Sequence, residues 1–291
     1  MLKGIRAALS RHKNKAFILL VAVAALDALL IAQIGALRSG RAPFSINFLN
    51  VGQGDATLLV FPTGVKMLID GGPPDGKVLA ELANILPPTD RYLDLVVMSH
   101  PQIDHFGGLI EVVKRYRIGT FLAPARGSET AAFAELEKAL AERGVRTVTL
   151  GRGDAIVNGA TNASVLSPTP ALLAGKETND ACVVMEILSD GITALFTGDM
   201  GSKAEAALVP LLAGRVDILK VPHHGSKYAS GAAFLEAVRP ALAVIEVGRN
   251  SYGHPTPEVL ARLAAVGAKI FRTDEGSVTV TPDGASLRIF Q

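Results

Sequence analysis

Tryptophan is absent from this 291-residue chain, cysteine occurs once, and aromatic residues make up only 5%. A single thiol, Cys182, excludes an intramolecular disulfide framework and any cysteine-rich zinc module. It lies in an apolar, strand-like run and reads as a small core residue rather than a nucleophile. No glycine-rich segment runs on into Lys-Ser or Lys-Thr, so a phosphate-cradling nucleotide loop is excluded. Internal repeats and low-complexity tracts are missing as well. The net charge of +2 is unevenly spread: residues 1–41 carry seven Lys or Arg and one acid, Asp27, leaving 22 basic and 26 acidic residues for the rest. The body therefore has no global basic excess of the kind that tight, non-specific nucleic-acid binding requires.

The N-terminal region reads as a membrane anchor. Residues 16–37, AFILLVAVAALDALLIAQIGAL, are long enough to cross a hydrocarbon core as a helix, although Asp27 and Gln33 interrupt them. A cleaved signal peptide and a buried helix are the competing readings. Basic residues lie mainly before the stretch, which predicts a cytoplasmic tail at 1–15, a single-pass transmembrane signal anchor at 16–37, a linker at 38–43 and a body, 44–291, on the extracytoplasmic side.

Short β-rich pieces separated by glycine turns come first in the body, at 44–49, 56–61 and 65–69. Alternating helix-like and strand-like segments follow. Leu93–Met98 is a continuous apolar run, as expected of a strand buried on both faces. The pattern predicts an α/β domain in which mixed sheets are covered by helices.

Chemistry concentrates at the ends of these strands. Ser99-His100-Pro101-Gln102-Ile103-Asp104-His105-Phe106-Gly107-Gly108 follows the buried strand and puts two His and one Asp within six residues. Imidazole together with carboxylate suits a divalent ion such as Zn²⁺ or Mn²⁺. The alternative is a helix cap at Asp104 with a histidine beside it. Asp70, Asp199, His223-His224 and His254 also stand just past strand-like runs, and five of the six His share that placement; only His12 does not. Convergence on one sheet edge is the simplest account. Asp55 reads equally as a turn or a site residue, and Lys220 and Lys227 read as solvated flanks of the His pair.

These motifs, with Val51-Gly52-Gln53-Gly54-Asp55-Ala56 and Tyr252-Gly253-His254-Pro255, resemble the metallo-β-lactamase superfamily, and within it the hydrolase-like domain of ComEC-type competence proteins. The resemblance implies a four-layer αββα sandwich with a metal site at one edge. It implies that His100 binds a first metal, Asp104 and His105 a second, and that Asp199 bridges them. His254, or one of His223 and His224, would complete the second site; His254 is the preferred ligand, with the His pair contacting phosphate or donating a proton and Asp104 beside them in the catalytic group. Asp70 would orient ligands. The chain departs from the superfamily pattern at Gln102, where a His is usual, and at Thr178-Asn179-Asp180, where another His ligand is expected; Gln102 and Asn179 would be weak ligands at most. Asn50 stands where ComEC-like chains commonly begin their first motif with Asp. The implied function is metal-dependent hydrolysis of a phosphodiester or related ester, single-stranded DNA being one substrate the resemblance suggests. A lactonase, thioesterase or β-lactamase, or a non-catalytic anchored binding module, are the alternatives.

Overall fold

The computed structural model describes residues 20, 21, 23–30, 44–212, 214–284 and 286–291. Residues 20, 21 and 23–30 are helical and exposed. Among the described residues no helix is long and apolar enough to cross a membrane. The anchor expected over 16–37, with the tail and linker beside it, lies largely outside the described residues.

Residues 43–291 form a compact unit built on two sheets. The first carries β1 (Ser45–Phe48), β2 (Thr57–Val60), β3 (Lys66–Ile69), β4 (Tyr92–Val97), β5 (Arg117–Pro124), β6 (Arg146–Leu150), β14 (Val278–Asp283) and β15 (Ser286–Phe290), in the order β15-β14-β1-β2-β3-β4-β5-β6. The second carries β7 (Ala155–Asn158), β8 (Thr161–Ser167), β9 (Val184–Ser189), β10 (Ile192–Phe196), β11 (Ile218–Lys220), β12 (Leu242–Ile245) and β13 (Lys269–Arg272), in the order β13-β12-β11-β10-β9-β8-β7.

Side chains alternate along these strands with a period of two, and that alternation builds the layers. In β3, Met67 and Ile69 face the second sheet while Leu68 faces helices. In β4, Leu95 and Val97 point inward while Val96 points outward. Phe48, Leu59, Met185, Ile187 and Phe196 belong to the apolar layer between the sheets. Three helices, α1 (Lys77–Ile85), α2 (Ile103–Arg115) and α3 (Ala131–Glu142), cover the outer face of the first sheet. The outer face of the second is covered by α5 (Ser202–Leu208), α6 (Ala232–Val238) and α7 (Pro257–Ala265). The result is the αββα sandwich expected. Two elements escape the sequence pattern: β7, with only two large apolar residues, and the short helix α4 (Pro170–Leu173).

Strand direction explains where the site lies. β3 and β4 run parallel, as do β10, β11 and β12. Their C-terminal ends therefore emerge together in each sheet, where ligands of open α/β sheets collect. β2 is antiparallel to β3 and pairs Thr57 with Ile69, so the loop before β2 reaches the same rim.

Candidate metal centre

Asp70 follows β3, His100 follows β4, and Asp104 and His105 occupy the first turn of α2. Asp199 follows β10, His223 and His224 follow β11, and His254 lies in the loop after β12. Helix α2 begins at Ile103, and its N-cap, Gln102, makes no side-chain cap, so the capping reading of Asp104 is corrected. Close backbone approach seats the helix: a Cβ at Gly108 would overlap the Gly71 carbonyl, and one at Gly54 the Asp104 carbonyl.

The imidazole rings gather as a chain. His100 and His105 have centroids 4.1 Å apart, His105 and His224 5.4 Å, His223 and His224 6.2 Å, and His223 and His254 5.7 Å. His223 and His224 reach this position through left-handed backbone, with φ of 50° and 52°. Two successive non-glycine residues in that region cost roughly 1–2 kcal/mol each. Such strain persists only where surroundings enforce it, and here it turns the His224 ring inward.

The Nδ1 atoms of the inner rings are anchored from behind. Asp70 Oδ2 lies 2.9 Å from His105 Nδ1, while its two oxygens accept from Ser99 N at 2.7 Å and Ser99 Oγ at 2.6 Å. His224 Nδ1 donates to the Glu246 carbonyl at 2.8 Å, and His100 Nδ1 lies 3.0 Å from Ser99 Oγ. With Nδ1 engaged, Nε2 is the atom each ring presents. His105 Nε2 lies 3.3 Å from Asp199 Oδ1; His224 Nε2 lies 3.4 Å from both Asp199 Oδ2 and Asp104 Oδ2. His254, the ligand preferred from the sequence, lines the same cleft and its Nδ1 is likewise buried without a partner, while the inward left-handed turn seats His224 among the acids.

One buried cation escapes the sequence reading. Lys220 is 2% exposed, not a solvated flank. Its ammonium pairs with Asp55, donates to the Gly198 carbonyl at 2.9 Å and stands 3.7 Å from Asp199. Asp55 in turn lies 3.2 Å from His224 Nδ1 and 3.6 Å from His105 Nδ1. A signal was present: Lys220 closes the β11 run Ile218-Leu219-Lys220, buried on both faces, where a lysine must find an anion. Asp55, His105, Asp199 and His224 together offer ligand atoms within 4.8 Å of one another.

The charges are strongly coupled. Burial alone would raise Asp199, yet His224 and His105 hold it well below the carboxylate range. Asp55 is likewise held near about 2 against its burial, chiefly by Lys220. Burial opposes charge on His224, but Asp199 and Asp55 raise it to about 10, and Asp199 and Asp55 likewise raise His105 well above 6.5. His100 is lowered to about 4 by burial and the neighbouring His105. Burial pushes Glu246 up to about 8 and the Cys182 thiol well above its ordinary value, consistent with an inert core cysteine.

The test of whether these residues suit a metal is what their inward atoms touch. The Nε2 atoms of His100, His105 and His224, with Asp199 Oδ1, are buried without a hydrogen-bond partner. Buried polar atoms are ordinarily satisfied, and several convergent orphans with nitrogen and carboxylate character are a divalent-ion donor set. Without a cation the acids draw protons onto His105 and His224; a divalent ion would replace those protons.

Four layers and a ring of inward, unpartnered imidazoles at one rim define a class, and the chain belongs to the metallo-beta-lactamase superfamily, whose profile matches residues 49–248. Within that class it is similar to Recombination protein 2 of Haemophilus influenzae, 33% identical over 226 residues that span 76% of this chain and 26% of that protein. Competence protein ComA of Neisseria gonorrhoeae is 30% identical over 237 residues, 79% of this chain and 31% of that protein. ComE operon protein 3 of Bacillus subtilis is 28% identical over 187 residues, 64% of this chain and 24% of that protein. The chain thus spans only between 24% and 31% of the length of these relatives. Among solved structures, the metallo-beta-lactamase fold protein YhfI of Bacillus subtilis superposes with a TM-score of 0.56 at 13% identity, covering 82% of this chain and 100% of that one. CmlA, a diiron beta-hydroxylase from Streptomyces venezuelae, gives 0.56 at 13% identity, covering 82% and 54%. At such identity the likeness concerns the fold alone.

Proposed function

We propose that this domain is a metal-dependent hydrolase of phosphodiester or closely related ester bonds. The observation that carries the reading is the set of orphaned inward atoms: His100, His105 and His224 Nε2 and Asp199 Oδ1. His105, His224, Asp104 and Asp199 would hold the ion, with His100 beside them. Zn²⁺ or Mn²⁺ suits that mixture of nitrogen and oxygen donors. Such an ion, once bound, lowers the pKa of water from about 15.7 toward 7 and polarises an ester oxygen.

The chain's own groups do the rest. Asp70 and the Glu246 carbonyl fix the ring orientations of His105 and His224, an outer-shell role that commonly governs metal affinity. The cleft above the site, about 350 Å³, is lined by Gln102, Asp104, His223, His224 and His254. His223, its side chain 32% exposed at the lip, is placed to touch a substrate. Similarity to competence and recombination proteins is the reason to test DNA among substrates. We further propose that residues 16–37 anchor the domain to a membrane; the 22-residue apolar run and the basic residues before it support that reading.

The test is hydrolysis of bis-p-nitrophenyl phosphate by the full chain with and without Mn²⁺ or Zn²⁺, beside His105→Ala and Asp199→Ala. Metal-dependent turnover, lost in both variants, is expected. Stoichiometric metal without turnover would move the reaction to a lactone or thioester. A folded protein with neither metal nor turnover would overturn the enzyme reading.

A further inference from the structure

The lip of the site carries a hydrogen-bonded chain that the charged centre does not use. Gln102 Nε2 donates to Asn179 Oδ1 at 2.5 Å. Asn179 Nδ2 then lies 3.4 Å from His223 Nδ1. An amide nitrogen only donates, so Nδ1 accepts, and a neutral imidazole that accepts at Nδ1 carries its proton on Nε2. His223 Nε2 lies 3.9 Å from Asp199 Oδ2, too far for a hydrogen bond, so its N–H is uncommitted. His223 and Gln102 line both the cleft above the centre and a neighbouring cavity of about 470 Å³. The left-handed backbone at His223 is secured by its N–H, which donates to the Gly198 carbonyl at 3.2 Å.

We propose that Gln102 and Asn179 are positioning residues that lock His223 as a neutral Nε2–H donor, and that this donor hydrogen-bonds an anionic oxygen of the substrate without transferring a proton. This rests on the hydrolase reading for its substrate, but the locked tautomer does not. Polarity runs one way along the chain, from amide to amide to imidazole. Gln102 and Asn179 are spent on that relay.

Two measurements test it. Nitrogen-15 NMR of the histidine side chains in the full chain loaded with Zn²⁺ reads the tautomer directly, whether or not any substrate is turned over. His223 is expected as the Nε2–H form in the native protein. Asn179→Asp replaces the donor with an acceptor and is expected to move the proton to Nδ1 while metal content stays unchanged. On bis-p-nitrophenyl phosphate, His223→Ala is expected to lower kcat/KM roughly 10–100-fold, the loss of one hydrogen bond to a charged group. His223→Gln, which keeps an N–H but cannot shuttle a proton, is expected to retain clearly more activity than His223→Ala. A native Nδ1–H tautomer, equal losses in the Gln and Ala variants, or loss of metal in Asn179→Asp would overturn the proposal. An absence of turnover in the native chain would sink the phosphodiester reading, and the tautomer would still decide the lock.

Discussion

The layer between the sheets and the rim above it are both buried, and they are built on opposite principles. The layer is apolar throughout: Phe48, Phe61, Met185, Ile187 and Phe196 fill it, and any one contact has neighbours that resemble it. The rim gathers Asp55, Asp70, Asp199, Lys220, His105 and His224, all below 3% exposure, and each group there depends on a particular partner. Hydrophobic packing is forgiving because it is non-directional. Buried charge is not, because an unmatched ion cannot recover its hydration. A large domain supports such a rim because its stability is generated elsewhere, in three apolar layers.

Substitutions at the two places should therefore fail differently. Lys220→Met leaves Asp55 without its cation and is expected to cost about 3–5 kcal/mol, with altered metal binding. Adding Asp55→Asn should return much of that stability, which urea denaturation of the single and double variants would read. Phe61→Ala, which removes a ring stacked on Phe44 at 6.0 Å, is expected to cost about 3–5 kcal/mol as well, yet leave metal content per folded chain untouched. Equal disturbance of metal binding by both would erase the distinction.

Acidity sharpens the same contrast. The His224 imidazole, ordinarily at 6.5, sits at about 10 in the metal-free fold. A folded value above the unfolded one contributes stability that is complete below pH 6.5 and disappears as the pH rises toward about 10. Thermal melts in chelator should fall across that window. Melts with a saturating ion should stay flatter, because the ion occupies the position of the proton. The smallest effect is expected far from the rim: Thr130 caps α3 by accepting from Phe133 N at 3.3 Å, and Thr130→Ala should cost about 1 kcal/mol with no change in metal content.

The same contrast governs what was legible in the sequence. Short apolar or β-branched runs bounded by turn residues announce every strand but β7, because a strand between the core and the helices is apolar on both faces. The placement of His100, Asp104, His105, Asp199, His223 and His254 just past strands was visible too, since parallel strands release their C-terminal residues at one edge. Lys220 was not recognised, because its partner Asp55 is remote in sequence and a lysine near a strand end is usually solvated. The seating of His224 among the acids depends on two consecutive left-handed residues, a turn that His-His-Gly does not announce. Gln102 and Asn179 read as weakened ligands one residue at a time; only their juxtaposition across the cleft makes a relay to His223.

The most direct test of the central claim is the metal content of the purified full chain after equilibration with Zn²⁺ or Mn²⁺ and removal of excess, beside His105→Ala and His224→Ala. The account predicts a tightly held divalent ion, stoichiometric with the native chain and lost from both variants. A native chain that binds no ion, or variants that keep it, would mean that the orphaned imidazoles serve another purpose, and would contradict the account.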